Sequence, residues 1–584
     1  MADTKREIER KYESEDSGLP DLTGVAGVAA VLDKGVDHLD ATYYDTADQR
    51  LAASAITLRR RTGGSDAGWH LKFPVAPGVR DEIRAPLSDT VPRALTGLVR
   101  SRVRDTELLP VVRLRSDRDV RHLVDADGRL LAEVSVDAVR ADRLTGDGGQ
   151  AQWTEIEVEL ADGGDPAFLD KVEKRLRKAG VRPSAAASKL ARALAETAPQ
   201  RKRQSERSSS GKSTSGKNSA GKSSAGKNSA GKSGEKEQKR RERQVGAPAA
   251  EAPAAGLVTA GEHVLAYVRA QRDAIVELDP AVRRDVDDSV HGMRVATRRL
   301  RSAFRSYGTV LDRAVTDPIG AELKWLAGEL GVDRDQEVLT ERLTAALDEL
   351  PRPLLTGPVR TRLRTWSHAR RGGSRRRLIA VLDGSRYLEL LNTLDALLAD
   401  PPLRKAASGR PEKVIGRAVR KDFRQLSVLV ERALALPPGD ERDVVLHESR
   451  KRAKRTRYSA EAAVGALGAR AADLVRSMKS LQGLLGDHQD SVMTREALRD
   501  LARQAHAAGE NAFTYGVLYG REERRGPRGG GAARSLAGDH ARDRGRDRGR
   551  GGALKRAGDL SGRVRLDGHP CQHTKVPRDA CRSR

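Results

Sequence analysis

Three features that define large classes of proteins are scarce in this sequence. It contains two cysteines in 584 residues, Cys571 and Cys581, so a disulfide framework is excluded and a reducing compartment is expected. Aromatic residues make up 3% of the chain, which argues against stacking platforms for single-stranded nucleic acid. No apolar run approaches the ~18 residues of a membrane span, and the opening MADTKREIER lacks the apolar core of a signal peptide. We therefore expect a soluble, cytoplasmic protein without a membrane partner.

Positive charge, in contrast, is abundant. Lys and Arg outnumber Asp and Glu by 108 to 82, which gives a formal net charge of +26. Such an excess indicates a polyanionic partner, such as nucleic acid, an anionic membrane or a phosphate polymer. The chain is too long for a single core, so two or three domains are expected.

The first domain is predicted to be rich in β-structure. Residues 1–197 contain many short β-like runs separated by Gly, Pro and Asp, which indicates a β-sheet or barrel. Helical patterns occur near residues 22–33 and 166–179.

A second, helical domain follows a linker. Residues 251–520 show Leu, Ala, Arg and Glu at three- to four-residue spacing, which predicts helices throughout. The Gly/Ser/Lys repeat at 198–250 and the Arg/Gly-rich tail at 521–584 have little to bury, so both are expected to be disordered. Residues 216–223 match the phosphate-loop pattern G-x-x-x-x-G-K-S, but no strand precedes them and no helix follows, so we attribute the match to the repeat. We hypothesise that the tail arises from a frame shift or a truncation.

Acids recur at every second position in two of the β-like runs. Alternate side chains of a strand share a face, so each run gathers charged residues on one side. These residues are Glu7, Glu9 and Lys11 in EIERKYE, and Glu155, Glu157 and Glu159 in EIEVEL. The simplest interpretation is a solvated strand face, because clustered carboxylates repel one another unless water or a cation separates them.

Bases alternate in three further β-like runs, each with apolar residues on the other face. They are Arg59 and Arg61 in LRRR, His70 and Lys72 in HLK, and Arg113 and Arg115 in VRLR. A closed barrel with a charged lumen and an apolar exterior would explain both patterns. Acids bind a hard divalent ion and bases bind phosphate oxygens, and metal-assisted hydrolysis of a phosphoanhydride needs both.

Several motifs then follow in a recognisable order. EIERK matches an E-x-E-x-K signature, and YYDT, LRRR, VSVD, EIEVEL and SKL follow it along the chain. This ordered set resembles the CYTH domain, the triphosphate tunnel metalloenzyme family, over about residues 5–195. The resemblance implies an eight-stranded antiparallel β-tunnel that hydrolyses triphosphate compounds with Mg²⁺ or Mn²⁺.

The resemblance also implies roles for individual residues. The metal ligands would be Glu7, Glu9, Glu157 and Glu159. The phosphate-binding residues would be Lys11, Arg59, Arg61, Lys72, Arg113, Arg115 and Lys189. Lys11 would form the catalytic set with Glu7 and Glu9, and would orient or deprotonate the attacking water. Glu82 matches a further tunnel acid, but Arg84 replaces the acid often found two residues later, which leaves the number of metals and the substrate open.

The helical region contains two similar segments, HGMRVATRRLRSAFR and HESRKRAKRTRY, followed by the endings LGVDRD and LGDHQD. On a helix, each segment gathers a histidine and cations on one stripe. The stripe residues are His291, Arg294, Arg298, Arg301 and Arg305, and then His447, Arg450, Lys451, Lys454 and Arg457. The endings add Arg334 and Asp335, and then Asp487, His488 and Asp490. The spacing is not that of a compact zinc site, so an anion-binding surface is favoured.

Two H-x-x-R helices with these endings resemble the CHAD domain, the conserved-histidine α-helical domain, over about residues 255–520. The resemblance implies a duplicated four-helix arrangement that binds inorganic polyphosphate along a basic groove. CYTH followed by CHAD is a known pairing, so each assignment supports the other.

The leading hypothesis is a metal-dependent triphosphatase tethered to a polyphosphate-binding module. It is expected in the cytoplasm, where polyphosphate granules are a candidate site. An alternative is a non-catalytic, granule-associated protein whose tunnel binds polyphosphate without turning it over. Nucleic-acid binding rests on charge alone and is disfavoured by the low aromatic content. Adenylate cyclase activity also occurs among CYTH-type tunnels, but no purine-reading feature stands out in the sequence.

Overall fold

The computed structural model describes residues 3–13, 18–146, 148–198, 258–437 and 439–525. The chain divides into two compact units, Met1–Gln244 and Val245–Arg584. The predicted linker beyond residue 198, the predicted tail beyond residue 525 and both cysteines lie outside the described residues.

The first unit is built around a closed β-barrel. Its strands are β1 (Asp3–Glu13), β2 (Ala30–Asp45), β3 (Thr57–Thr62), β4 (Gly68–Ala76), β5 (Val79–Ala85), β6 (Leu109–Val124), β7 (Leu130–Arg143), β8 (Gln150–Leu160) and the short β9 (Arg182–Pro183). The first eight are ordered β5-β4-β3-β2-β6-β7-β8-β1, and β1 also pairs with β5, which closes the barrel. The neighbouring strands run antiparallel. The predicted eight-stranded antiparallel tunnel is confirmed.

Strand β1 closes the barrel by pairing with two neighbours in turn. Its first half lies beside β5, with Lys5 opposite Glu82, and its second half lies beside β8, with Lys11 opposite Glu157. Residues directly opposite each other on paired strands share a face. The odd-numbered acids of β1 and β8 therefore face the same interior.

The first unit also contains helices α1 (Arg50–Ala53), α2 (Arg93–Val103), α3 (Ala167–Lys178) and α4 (Lys189–Glu196). Helix α3 confirms the helix predicted near 166–179. The helix predicted near 22–33 is wrong, because turns lead into β2 there. Gly24 and Gly27 have φ of 80° and 93°. Glycine reaches such left-handed angles readily, and a right-handed helix does not contain them.

Helix α3 covers the outside of the barrel. Its residues Phe168, Val172 and Leu176 pack in one apolar cluster with Ile156 and Val158 of β8. Each fully buried aliphatic side chain of this kind contributes about 1.5–3 kcal/mol relative to an exposed one. The apolar face of β8 is thus held outward, and its acidic face is held inward.

The second unit is helical, as predicted. Its helices are α5 (Ala260–Arg283), α6 (Ser289–Ser306), α7 (Arg313–Asp348), α8 (Val359–Asp383), α9 (Ser385–Ala399), α10 (Pro411–Ala435), α11 (Asp440–Ala462), α12 (Val464–Leu467), α13 (Ala469–Ala507) and α14 (Phe513–Arg525). Because α14 continues to Arg525, residues 521–525 are helical and do not begin an unstructured tail.

The two sequence copies form two equivalent helix pairs, α6 with α7 and α11 with α13. One apolar core includes Met293, Leu300 and Phe304 of α6, so the apolar side predicted for this helix is buried. A second core joins α7 and α13 to α14 through residues such as Leu343 and Leu501. None of the helices in the described ranges is long and apolar enough to cross a membrane.

Candidate functional site

The interior-facing residues of the barrel surround one cavity of about 610 Å³, which we call the tunnel cavity. Its lining bases are Lys5, Lys11, Lys34, Arg59, Arg61, Lys72, Arg80, Arg84, Arg118 and Lys189. Its lining acids are Glu7, Glu9, Asp37, Asp66, Glu82, Glu133, Glu157, Glu159 and Asp162. Among the described residues, ten bases therefore face nine acids, and the cavity is close to charge-balanced despite the basic composition of the chain.

One end of the tunnel cavity is closed by apolar side chains. Leu190 of α4 packs against Val112 and Trp153 on the interior face of the barrel, and all three are more than nine-tenths buried. Lys189, the first residue of α4, lies where this plug meets the charged lining. The opposite end is lined by the exposed Lys34 and forms the mouth.

All four predicted metal ligands contact a lysine, and Lys11 contacts Glu157 as well as Glu9. Three of these contacts join Lys72 Nζ to Glu7 (2.5 Å), Lys11 Nζ to Glu9 (3.2 Å) and Lys5 Nζ to Glu159 (2.7 Å). Paired in this way, buried carboxylates avoid the desolvation cost of an isolated charge. Acids and bases of the tunnel cavity thus neutralise one another directly.

A second acidic group surrounds Lys189. Its Nζ lies 3.0 Å from Asp137, 2.7 Å from Glu155 and 2.6 Å from Glu157. Ligand atoms of these three carboxylates lie within 4.8 Å of one another, the spacing of a metal site. An ammonium group has three donors, so Lys189 already supplies the cation that this group needs. Glu157, the fourth predicted metal ligand, also accepts a hydrogen bond from Arg118 at 2.8 Å.

Glu82 is buried and is held by three basic groups. The Nδ1 atom of His70 lies 2.8 Å from its carboxylate, Lys72 Nζ lies 3.5 Å away, and Arg84 Nε donates at 2.5 Å. Burial acts to raise the pKa of Glu82, but His70, Lys72 and Arg59 outweigh it and lower that pKa. Glu82 is therefore ionised, and Arg84 places a positive charge beside it.

Arg59 and Arg61, two of the predicted phosphate-binding bases, lie near Arg118 in the lining of the tunnel cavity. Burial, together with the like charges of Arg59 and Arg118, lowers the pKa of Arg61 to about 9. Arg59 donates from Nη1 to the hydroxyl of Tyr43 at 3.2 Å, and the pKa of Tyr43 is lowered because Arg59, Lys189 and Lys72 outweigh its burial. A bound anion would relieve this repulsion between cations.

The acids of β1 fit a divalent cation. Burial raises the pKa of Glu7 to about 7, and the like charges of Glu82 and Glu159 add to the effect while Lys72 opposes it. Lys72, 2.5 Å away, offsets the cost of burial only in part, so an added cation would stabilise the charged form of Glu7. Carboxylate oxygens are the ligands that Mg²⁺ and Mn²⁺ prefer, so this donor set suits either ion.

A second cavity, of about 350 Å³, lies within the helical unit; we call it the helical cavity. Helices α6, α7, α11 and α13 line it. The lining residues are His291, Arg294, Val295, Arg298, Val338, Leu339, Arg342, Arg450, Lys454, Arg457, Tyr458, Gln482, Asp490, Met493 and Thr494. Six of these described residues are Lys or Arg, and one is an acid.

The excess of positive charge in the helical cavity affects the pKa of Lys454. Burial lowers its pKa to about 7, and the charges of Arg298, Arg450 and Arg294 lower it further against the opposing effect of Asp490. Arg450 Nη2 lies 3.7 Å from Asp490 Oδ1, so this acid is shared among several bases. Arg342 and Arg457 pair with Glu522 and Glu461, and the excess of positive charge around Lys454 favours an incoming anion.

Comparison with known proteins places both units. The family model of the CYTH domain matches residues 5–194, and that of the CHAD domain matches residues 266–499. An uncharacterized protein of Mycobacterium tuberculosis (strain CDC 1551 / Oshkosh) is 38% identical over 542 residues, which cover 88% of this chain and 92% of the relative. The chain belongs to the CYTH–CHAD family.

Two solved structures are similar to parts of the CYTH–CHAD chain. PptA from Streptomyces chartreusis has 21% identity and a TM-score of 0.39, over 48% of this chain and 99% of that one. The CHAD domain from the plant Ricinus communis has 24% identity and a TM-score of 0.37, over 46% of this chain and 88% of that one.

Two predicted tunnel residues of the CYTH unit lie elsewhere. The side chains of Arg113 and Arg115 are 49% and 52% exposed, and they pair with Asp40 and Asp142. The prediction that they line the tunnel is wrong. The arginine of β6 that lines the tunnel cavity is Arg118.

The orientation of the side chains of β6 explains why Arg113 and Arg115 lie outside the tunnel. Near the closed end, its interior side carries Val112 and Leu114, which pack in one cluster with Leu190 of α4. Side chains alternate along a strand, so Arg113 between them points outward. The same even-numbered face becomes charged toward the mouth, at Arg118. Local alternation reveals two faces of a strand but does not show which one is interior.

The CHAD unit gathers part of its predicted set in the helical cavity. The six predicted residues that line it are His291, Arg294, Arg298, Arg450, Lys454 and Arg457. The four outside its lining are Arg301, Arg305, His447 and Lys451, of which Lys451 pairs with Glu448 at 2.7 Å. The side chains of Arg334, Asp335, Asp487 and His488 lie outside the described part of the chain.

Sequence reasoning missed three charged groups of these sites. Arg342 comes from α7 and belongs to neither H-x-x-R segment, so only helix packing could reveal it. Arg118 and Asp137 form an ion pair at 2.7 Å inside the barrel. Asp137 lies in the VSVD motif, where an acid follows an alternating apolar run, but the motif alone does not indicate its role.

Proposed function

We propose that the CYTH unit hydrolyses a triphosphate compound, inorganic or organic, with Mg²⁺ or Mn²⁺, and that the CHAD unit binds inorganic polyphosphate. The observation that carries the enzymatic part is the meeting of acids and bases in one tunnel cavity with a closed end. Hydrolysis of a phosphoanhydride needs both, because bases hold phosphate oxygens and acids hold the metal ion.

The bases of the tunnel cavity would hold the substrate. Arg59, Arg61 and Arg118 offer planar guanidinium groups that suit two oxygens of one phosphate. Burial, with the charges of Arg59 and Arg118, lowers the pKa of Arg61, and a bound anion here would offset that effect. Tyr43 would add a hydroxyl beside Arg59.

Glu7, Glu9, Glu157 and Glu159 would hold the metal ion. When bound, Mg²⁺ or Mn²⁺ would neutralise phosphate charge and make a bound water more acidic. Lys72 and Lys11, which contact Glu7 and Glu9 in this structure, would then be free to donate to phosphate oxygens. The near balance of ten bases and nine acids among the described lining residues supports the need for this added positive charge.

Lys11 would orient the attacking water or a phosphate oxygen. Burial acts to lower the pKa of Lys11, but Glu157 and Glu9 outweigh it and raise that pKa. A lysine with a raised pKa keeps its proton at neutral pH and acts as a donor. Of the two roles considered for Lys11, this supports orientation over proton abstraction.

The helical cavity supports polyphosphate as the ligand of the CHAD unit. Six Lys or Arg residues face it, and equivalent helix pairs from the two sequence copies contribute to it. A polyphosphate chain reads the same in both directions, whereas a nucleic-acid strand has a polarity. A cavity built from two similar halves suits polyphosphate, which has no chain polarity. The closely spaced Lys and Arg side chains suit its phosphate groups.

Phosphate release tests the enzymatic proposal. Tripolyphosphate, ATP and long-chain polyphosphate would be incubated with Mg²⁺ or Mn²⁺ and the full chain. Glu7→Gln/Glu9→Gln should abolish release, whereas Asp40→Asn, which changes an acid paired with Arg113 outside the tunnel cavity, should not. The compound from which the wild-type chain releases phosphate fastest is the preferred substrate.

The opposite outcome has a clear meaning. If none of the three compounds releases phosphate while polyphosphate still binds tightly, the enzymatic proposal is wrong. The alternative, a non-catalytic and granule-associated polyphosphate-binding protein, would then replace it.

A further inference from the structure

Two glycines in the long helices of the CHAD unit face the arginines of the H-x-x-R motifs. Gly331 in α7 and Gly486 in α13 occupy equivalent places, since each ends an L-x-G-x-L-G stretch. A Cβ atom at Gly331 would lie 3.4 Å from Cζ and Nη2 of Arg294, and one at Gly486 would lie 3.4 Å from Nη2 of Arg450. The same contact thus recurs in both copies.

The contact at Gly331 involves three atoms of the guanidinium group of Arg294. Its Nε atom also lies 3.7 Å from the position of the missing Cβ, so the group lies over the glycine and against the helix. Arg294 and Arg450 both line the helical cavity. Both glycines are buried at equivalent positions, so a side chain larger than a methyl group there would reach the guanidinium group.

We propose that Gly331 and Gly486 are positioning residues for the helical cavity. Each leaves space on its helix for the guanidinium group of the facing arginine, and so holds that arginine where it meets the anion. This inference rests on the proposed polyphosphate binding. It adds that the glycines of the two LG endings act through Arg294 and Arg450.

The chain supplies matched controls for a test. Gly328 and Gly483, three residues earlier in the same stretches, have no atom within 4 Å of an added Cβ in the described structure. Binding of long-chain polyphosphate to the full-length chain would be measured in EDTA, with the melting temperature of each variant. Gly331→Leu and Gly486→Leu should each weaken binding about tenfold, as expected for a lost charge-assisted contact. Gly328→Leu and Gly483→Leu should stay within about twofold of wild type, as is usual for exposed positions.

Smaller side chains give a graded comparison if leucine lowers the melting temperature. A methyl group at 3.4 Å is in ordinary van der Waals contact with the guanidinium group, so Gly331→Ala should bind nearly as the wild type does. Gly331→Val should fall between the alanine and leucine variants. A loss that is as large for alanine as for leucine would overturn the positioning role.

A double-mutant cycle separates positioning from a structural defect. In an Arg294→Ala background the guanidinium group is absent, so Gly331→Leu should cause no further loss of affinity. An equal loss in both backgrounds, or an equal loss at Gly328, would overturn the inference while leaving polyphosphate binding intact. A wild-type chain that fails to bind polyphosphate would overturn the proposed function, and this inference with it.

Discussion

The tunnel cavity and the helical cavity are both rich in Lys and Arg, but they differ in what faces those bases. In the tunnel cavity ten bases face nine acids among the described residues, and Glu7, Glu9, Glu157 and Glu159 each contact a base. In the helical cavity six bases face one described acid. A mixed lining suits a metal–phosphate complex, whereas a cationic lining suits the anion alone. The comparison therefore predicts opposite responses to divalent metal.

Removal of divalent metal should separate the two cavities most strongly. EDTA should lower triphosphate hydrolysis by at least about 100-fold, because the tunnel loses the charge that stabilises the developing oxyanion. Polyphosphate affinity at the helical cavity should change less than about twofold, since its positive charge is built from side chains. Phosphate release and calorimetric binding on one preparation would check both, with Mg²⁺ or Mn²⁺ added back. An equal loss of both activities would contradict the distinction.

Two arginines of β6 provide the next largest contrast. Arg118→Ala should lower kcat/KM for triphosphate hydrolysis by about 100-fold, because an arginine facing the reacting phosphate is removed. Arg113→Ala should stay within about twofold, because its exposed ion pair with Asp40 contributes little. Steady-state kinetics of both variants, with melting temperatures as the folding control, would show the difference. Similar losses would place Arg113 in the tunnel after all.

The pH dependence of the helical cavity follows from Lys454. Its pKa is lowered to about 7, so its charge is present below that pH and is lost as the pH rises. Polyphosphate affinity should fall by up to about tenfold between about pH 7 and pH 9, a window above the ordinary histidine range. Without ligand the sign for stability is opposite, because the unfolded chain binds more protons there and stability rises with pH.

Lys454→Arg is the matched control for this pH effect. Arginine keeps its charge across the window, so affinity should become nearly independent of pH. Calorimetry in buffers of different ionisation enthalpy would also detect proton uptake by the wild-type chain on binding. If Lys454→Arg keeps the pH dependence of the wild-type chain, a group other than Lys454 causes the change in polyphosphate affinity.

The smallest expected effect concerns the acid of the helical cavity. Asp490→Asn should strengthen polyphosphate binding about threefold, since it removes a negative charge that opposes the ligand. Glu448→Gln, which alters an exposed acid paired with Lys451, should have less effect. Binding titrations at low salt would measure the two. Weaker binding in Asp490→Asn would mean that this acid chiefly orients Arg450.

The interior of the barrel was predictable where packing and alternation agree. Glu7, Glu9, Glu157 and Glu159 were placed inside because an alternating strand has one charged face and one apolar face. At β8 the apolar face packs under α3, which fits the expectation. At β6 the apolar residues Val112 and Leu114 instead meet the plug inside the barrel, so the same rule gave the wrong side.

The helical cavity was predictable only within each helix. The H-x-x-R spacing placed Arg294 and Arg298 together because residues three and four apart share a helix face. It could not show that Arg342 or Gly331 lies across from them, since periodicity does not reveal which helix opposes which. Near Gly24 and Gly27 even the local pattern misled, because apolar residues at helical spacing were interrupted by left-handed turns.

The plug formed by α4 also has a consequence for the order in which substrate would enter and products would leave the tunnel cavity. A linear phosphate chain would enter the tunnel cavity through the mouth lined by Lys34, with one terminus leading, because the described side chains pack into a plug at the other end. A terminal phosphate cleaved at the inner end would then lie between the plug and the remainder of the phosphate chain. In the proposed reaction the longer product would leave first, and the cleaved phosphate would follow through the same mouth.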